Sequence, residues 1–118
     1  MYYLKIISLE GCPYSEAAEK LVSSNKIESE IIKVTQNEKK KFKTNEIQTF
    51  PQIYLKKKHS NGDVLIGGYS KLKEYFDKIM EEPSNSKFDS LKLKILKDNK
   101  NLSEKSALRM IELLSKNY

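Results

Sequence analysis

The sequence predicts a small α/β domain, one mixed four-stranded sheet built in the order β-α-β-α-β-β-α with helices on its faces, followed by a C-terminal helical extension. Three observations carry this. The chain opens with a β-α-β pattern, a glycine turn joins two short strands in its middle, and a strongly periodic helix follows them. Tyr3 to Ser8 is the first strand, with Leu4, Ile6 and Ile7 apolar. Pro13 to about Ser24 is helical, placing Ala17, Ala18, Leu21 and Val22 at inward spacing. Glu30 to Val34 is the second strand, so the opening unit implies parallel pairing through a right-handed crossover.

Gln36 to about Thr44 reads as a short helix with Phe42 as its clearest apolar anchor. Its run Lys39-Lys40-Lys41 reads first as a solvated face. Pro51 then stands directly before the alternating strand Gln52-Ile53-Tyr54-Leu55, where it marks either a sheet edge or a special turn. Ser60-Asn61-Gly62-Asp63 is the hairpin turn, because Asn-Gly tolerates positive φ, and Val64 to Ile66 returns. Gly67-Gly68 ends the hairpin. Ser70 is the expected N-cap of a helix with Leu72, Tyr75, Phe76, Ile79 and Met80 on one face. His59, with no partner in sequence, reads as solvated.

The domain is expected to span residues 1–82. Pro83-Ser84-Asn85-Ser86 has linker composition, and residues 83–118 form the extension. Phe88, Leu91, Ile95 and Leu96 suit a helix there, whereas Leu91, Leu93 and Ile95 alternate like a strand, so both remain open at this stage. Leu102 and Ser103 read as staple and N-cap of a final helix, with Ala107 completing the staple and Met110, Ile111 and Leu114 continuing its face. Two roles suit that helix: packing on the domain, or docking a partner or second copy.

Composition narrows the function. The chain has 118 residues, 38% of them hydrophobic, and a single cysteine. One domain with a modest core follows, and a disulfide framework does not. The net charge of +6 comes almost wholly from lysine, Arg109 being the sole arginine. Bidentate base and phosphate reading depends on arginine, so specific nucleic-acid recognition is not expected. The residues after Met1 lack the apolar length of a signal peptide or a span, so the expectation is a cytoplasmic protein without membrane contact.

The cysteine itself is informative. Cys12 lies in Gly11-Cys12-Pro13-Tyr14-Ser15, where the first strand gives way to the first helix. Pro13 suits the first helical position, which makes Cys12 the N-cap. The first N–H groups of a helix lack intrahelical acceptors and favour thiolate over thiol. A buried structural cysteine is the plain alternative, but Gly11 and Pro13 argue for a shaped, exposed turn.

Three segments together resemble the glutaredoxins, a family with the thioredoxin-like fold: Cys12-Pro13-Tyr14-Ser15, Thr49-Phe50-Pro51 and Gly67-Gly68-Tyr69-Ser70. The resemblance covers roughly residues 2–82. It implies that fold, a glutathione-linked thiol–disulfide oxidoreductase activity on glutathione mixed disulfides, and a cis peptide at Phe50–Pro51. A cis bond there turns the Phe50 N–H and C=O outward beside Cys12, where an extended peptide such as glutathione can pair with them. Gly68 lets backbone approach a ligand closely, and the Ser70 and Lys71 amides offer an anion site. Cys12 is then catalytic, and Tyr14, Thr49, Phe50, Pro51, Gly68, Tyr69 and Ser70 bind glutathione as co-substrate. Lys39 and Ser15 are secondary candidates, the latter through a hydroxyl bond to sulfur. Taken singly, Pro51 also fits a limit on edge pairing and Gly67-Gly68 a simple turn.

Ser15 occupies the place of a second cysteine found in many members, which leaves the monothiol route. Leu9 stands where many carry a cation, with Lys39 or Lys40 as the nearest substitute. Lys71 stands where many carry an acid for the ligand's amino group. Another monothiol branch shares a 2Fe–2S cluster between subunits through Cys-Gly-Phe-Ser; Pro13 and Tyr14 weigh against a cluster here. The expected partners are therefore glutathione and glutathionylated or disulfide-containing proteins, with partner or self-association through the extension. The alternatives to the enzyme are a non-enzymatic interaction module and a cluster carrier.

Overall fold

The computed structural model describes residues 2–59, 62–80, 87–99 and 101–115. Its elements are β1 (Tyr2–Leu9), α1 (Pro13–Ser24), β2 (Ser29–Val34), α2 (Lys39–Phe42), β3 (Gln52–Lys57), β4 (Asp63–Gly67), α3 (Tyr69–Met80), α4 (Lys87–Asp98) and α5 (Glu104–Leu114). The strands form one sheet in the order β2-β1-β3-β4. β1 runs parallel to β2 and antiparallel to β3, and β4 is antiparallel to β3. Ser60 and Asn61 of the hairpin, and the linker at 83–86, lie outside the described residues.

Register explains the core. Leu4 pairs with Leu55 and Ile6 with Ile53, so these four fully buried side chains share one face of the two central strands. α1 adds Ala18 and Val22, and α3 adds Leu72, Tyr75, Phe76 and Ile79. Each of the leucine, isoleucine, valine and phenylalanine side chains among these contributes about 1.5–3 kcal/mol on burial. The opposite face is mixed: Ile7 is buried there opposite Gln52, and Lys5, opposite Tyr54, binds Asp63 at 3.2 Å. Among the described residues, no helix is long and apolar enough to cross a membrane.

The described extension forms two helices, α4 and α5, which settles the ambiguity at Leu91-Leu93-Ile95: Leu91 and Ile95 are buried and Leu93 is exposed. α4 lies against α3, and α5 lies against β1, α3 and α4. Ser103 caps α5 by accepting from the Ser106 amide at 3.1 Å, and Leu102 and Ala107 are buried as the staple requires. Ile95, Met110 and Leu114 belong to the same apolar cluster as Leu4 and Leu72.

Three expectations change. α2 has four residues instead of nine, and none is buried, because a turn closed by the Glu38 amide on the Thr35 carbonyl takes up the preceding positions. α3 starts at Tyr69, with the Leu72 amide bonding to the Gly68 carbonyl, so Ser70 sits inside the first turn and is not the N-cap. Met80, placed on the apolar face, is 47% exposed at the helix end.

Candidate active site

Gly11 has φ +75°, in the left-handed region that costs a side chain about 1–2 kcal/mol, and it turns the chain from β1 into α1. Cys12 follows as N-cap in extended conformation, half-buried, and its side chain makes no capping bond. Pro13 has no N–H. The Tyr14 and Ser15 amides at the next positions have no intrahelical acceptor, since the first helical bond is the Glu16 amide to the Cys12 carbonyl at 3.0 Å. The positive end of a twelve-residue helix therefore lies at the thiol.

The Phe50–Pro51 peptide is cis, as the resemblance implies. Because β3 lies between β1 and β4, Pro51 marks a special turn and not a sheet edge. The Cys12 thiol donates to the Phe50 carbonyl at 3.6 Å. Pro51 in turn abuts the third segment: its carbonyl oxygen would lie 3.6 Å from a Cβ on Gly68. Tyr14 and Tyr69 close the circuit, with ring centroids 6.3 Å apart and planes tilted by 35°. Tyr14 is 63% exposed, so its ring remains available as a contact surface. Thr49 and Ser70 are exposed, Phe50 is half-buried and Pro51 is buried, all on these same segments.

The secondary candidates separate. Ser15 is fully buried, and its Oγ accepts from the Leu9 amide at 3.0 Å, which fixes the strand-to-helix turn. Beneath it, Ser8 donates to Glu19, whose other oxygen meets Lys33 at 2.9 Å. Burial raises the Glu19 pKa, but the Ser8 hydroxyl and Lys33 outweigh it and hold the carboxyl below its ordinary range. Lys39 is linked through Gln36 to the loop that precedes Cys12: its Nζ donates to Gln36 Oε1 at 3.2 Å, and Gln36 Nε2 donates to the Glu10 carbonyl at 2.8 Å. Lys71 points to the extension, pairing with Asp98 at 3.0 Å.

Sequence reasoning missed several supports. Gly67, not Gly68, is the glycine the backbone requires: its φ is +141°, and a Cβ there would meet Lys71 Cγ at 3.0 Å. The paired glycines were the available signal. Gln52 is buried and donates from Nε2 to the Phe42 carbonyl at 2.8 Å, and Gln36 bridges to Glu10; nothing in their sequence context marks either.

A mixed sheet that brings a thiol at a helix start against the residue preceding a cis-proline defines a thioredoxin-like thiol–disulfide exchange protein. The sequence model of the Glutaredoxin family matches residues 1–60, and the chain belongs to that family. It is also similar to the crystal structure of glutaredoxin 1 from Francisella tularensis complexed with cacodylate, with 26% identity and a TM-score of 0.52 over 70% of this chain and 100% of that one. No curated protein matches the sequence. Membership makes the general activity thiol–disulfide oxidoreduction, for which glutaredoxins use glutathione as co-substrate.

Proposed function

We propose that the protein reduces glutathione mixed disulfides by a monothiol mechanism through Cys12, in a reducing compartment such as the cytoplasm. The observation that carries the reading is the convergence of Cys12, the Phe50 carbonyl, the Pro51–Gly68 contact and the Tyr14–Tyr69 pair at one place, in a chain with a single cysteine. The Cys12 thiolate attacks the glutathione sulfur of the mixed disulfide. A Cys12–glutathione disulfide forms, and the substrate leaves as a thiolate that takes up a proton. A second glutathione thiolate then attacks the bound glutathione sulfur, releasing oxidised glutathione and restoring the Cys12 thiolate.

The residues take defined parts in this reading. The Tyr14 and Ser15 amides stabilise the Cys12 thiolate. The Phe50 backbone and Pro51 align the tripeptide as a short added strand, and Thr49 flanks it. Gly68 admits its backbone, and the amides of Tyr69, Ser70 and Lys71 at the start of α3 receive a carboxylate. Tyr14 and Tyr69 wall the cleft, and Lys39 supplies a cation from its relay.

The test is turnover of the mixed disulfide of glutathione and 2-mercaptoethanol. Cys12→Ser is expected to abolish it; retained activity in that variant contradicts the mechanism. Ser15→Ala is expected to keep most of the turnover while losing about 1 kcal/mol of stability with the Leu9 bond, read from a urea titration.

A further inference from the structure

α2 is a charged segment with no buried anchor of its own. Lys39, Lys40 and Lys41 form it with Phe42, and Lys43 follows as its C-cap. A four-residue helix has little intrinsic stability, so its place depends on what ties its ends. Both ends are tied to the site. On one side Gln36 donates to the Glu10 carbonyl at 2.8 Å and accepts from Lys39 at 3.2 Å, two residues before Cys12 in the chain. On the other, buried Gln52, directly after Pro51, donates to the Phe42 carbonyl at 2.8 Å. α2 is strung between the loop that carries the thiol and the loop that carries the cis-proline.

Among the described residues, its lysines stay out of the ion pairs that engage some lysines elsewhere. Lys33, Lys71, Lys92 and Lys94 each meet a carboxylate within 3.0 Å. Lys40 and Lys43 are exposed and meet none among the described residues, and exposed Lys41 has only the nearby field of Glu38. The Glu38 carboxylate is turned back to the Thr35 hydroxyl at 2.9 Å. One flank of the site thus presents Lys40, Lys41 and Lys43 without an ion pair among the described residues, on a segment tied at both ends.

We propose that this flank docks protein substrates whose disulfide lies in an acidic segment. The inference rests on the proposed thiol–disulfide activity and names the substrate class of that site. Cations at a reactive cleft steer oppositely charged partners and raise association rates by about 10–10³, an effect screened beyond a Debye length of about 8 Å at physiological salt. Lysines act as point charges without the bidentate fork that suits arginine to phosphate, which favours side-chain carboxylates over a nucleic acid.

The experiment compares three glutathionylated peptides of equal length with acidic, neutral or basic residues beside the disulfide. At low salt, kcat/KM for the acidic peptide is expected to exceed that for the neutral one about tenfold, with the basic peptide slowest. The differences are expected to close at about 0.5 M salt. In Lys41→Glu/Lys43→Glu protein the order inverts, and in Lys41→Gln/Lys43→Gln it flattens, while turnover of the small 2-mercaptoethanol mixed disulfide is unchanged. Equal kcat/KM for all three peptides in the wild type overturns the proposal. Failure to turn over even the small disulfide overturns the activity instead, and the surface is then read by fluorescence anisotropy of a cysteine-free acidic peptide. Binding that weakens in the Lys41→Glu/Lys43→Glu protein supports the docking surface, and absence of binding overturns it. A single-stranded RNA that competes as well as the acidic peptide also overturns it, assigning the flank to polyanions at large.

Discussion

The loops around Cys12 and the seam around Asp98 are built from opposite materials, although one helix, α3, serves both. At the thiol end, apart from the Tyr14–Tyr69 ring pair, the contacts rest on backbone: the Phe50 carbonyl against sulfur, the Pro51 carbonyl against Gly68, and helix amides. At the seam they are made by side chains. Asp98 of the extension accepts from the Tyr75 hydroxyl at 2.8 Å and pairs with Lys71, and Asn99, itself buried, donates to the same hydroxyl at 3.2 Å. A site made of backbone tolerates side-chain departures such as Leu9, provided glycine and proline keep the turns. A seam made of side chains does not, and it accounts for Lys71: that residue is engaged with the extension.

The comparison can be broken at the point where the two regions share a core. Met110 of α5 is fully buried in the cluster that includes Leu72 of α3. Met110→Ala is expected to cost about 2–5 kcal/mol in one cooperative transition, with Cys12 alkylation in urea following the same curve. Two separate transitions would show that the extension folds apart from the domain. Gly67→Ala strikes the junction itself, between the end of β4 and the start of α3. With φ +141° and Lys71 Cγ in the way, it is expected to cost about 1–3 kcal/mol. Its effect should fall on KM for the glutathione disulfide and not on kcat, as steady-state kinetics would read.

Acid sharpens the contrast at the smallest scale. Burial raises the Asp98 pKa, but Lys71 and the Tyr75 hydroxyl outweigh it and leave the carboxyl below its ordinary range. Burial, together with the same Asp98 contact, pushes the Tyr75 hydroxyl far above its usual range. A depressed carboxylate contributes fully above its unfolded pKa of about 3.9 and loses that contribution as pH falls through the lower folded value. Urea midpoints are therefore expected to fall more steeply below about pH 4 in the wild type than in Asp98→Asn. Parallel curves would remove Asp98 from the seam.

Much of this is legible in the sequence. The apolar run of Leu4, Ile6 and Ile7 marks β1, Pro13 marks the start of α1, and Leu102-Ser103 marks α5. These are local signals. The cis-proline turn and the Gly68-Tyr69 segment were legible only jointly, because proline and glycine each have several uses. What stayed hidden depends on contacts distant in sequence. Leu93 and Ile95 could not be placed until α3 showed which face it covers, and Lys71 gave no sign of Asp98. α2 is shorter than its sequence suggests, because lysine spacing suits a helix whether or not anything buries it. The cap of α3 moved from Ser70 to Gly68 because the first amide-to-carbonyl bond, not side-chain preference, decides where a helix begins.

The central claim is that a single thiol at the start of α1 exchanges with glutathione held on the Phe50–Pro51 and Gly68 backbones. Intact mass spectrometry of the whole chain after exposure to oxidised glutathione tests it most directly. The account predicts one glutathione adduct, located on Cys12 and removed by reduced glutathione. A chain that remains unmodified, or that forms only Cys12–Cys12 dimers, would contradict it.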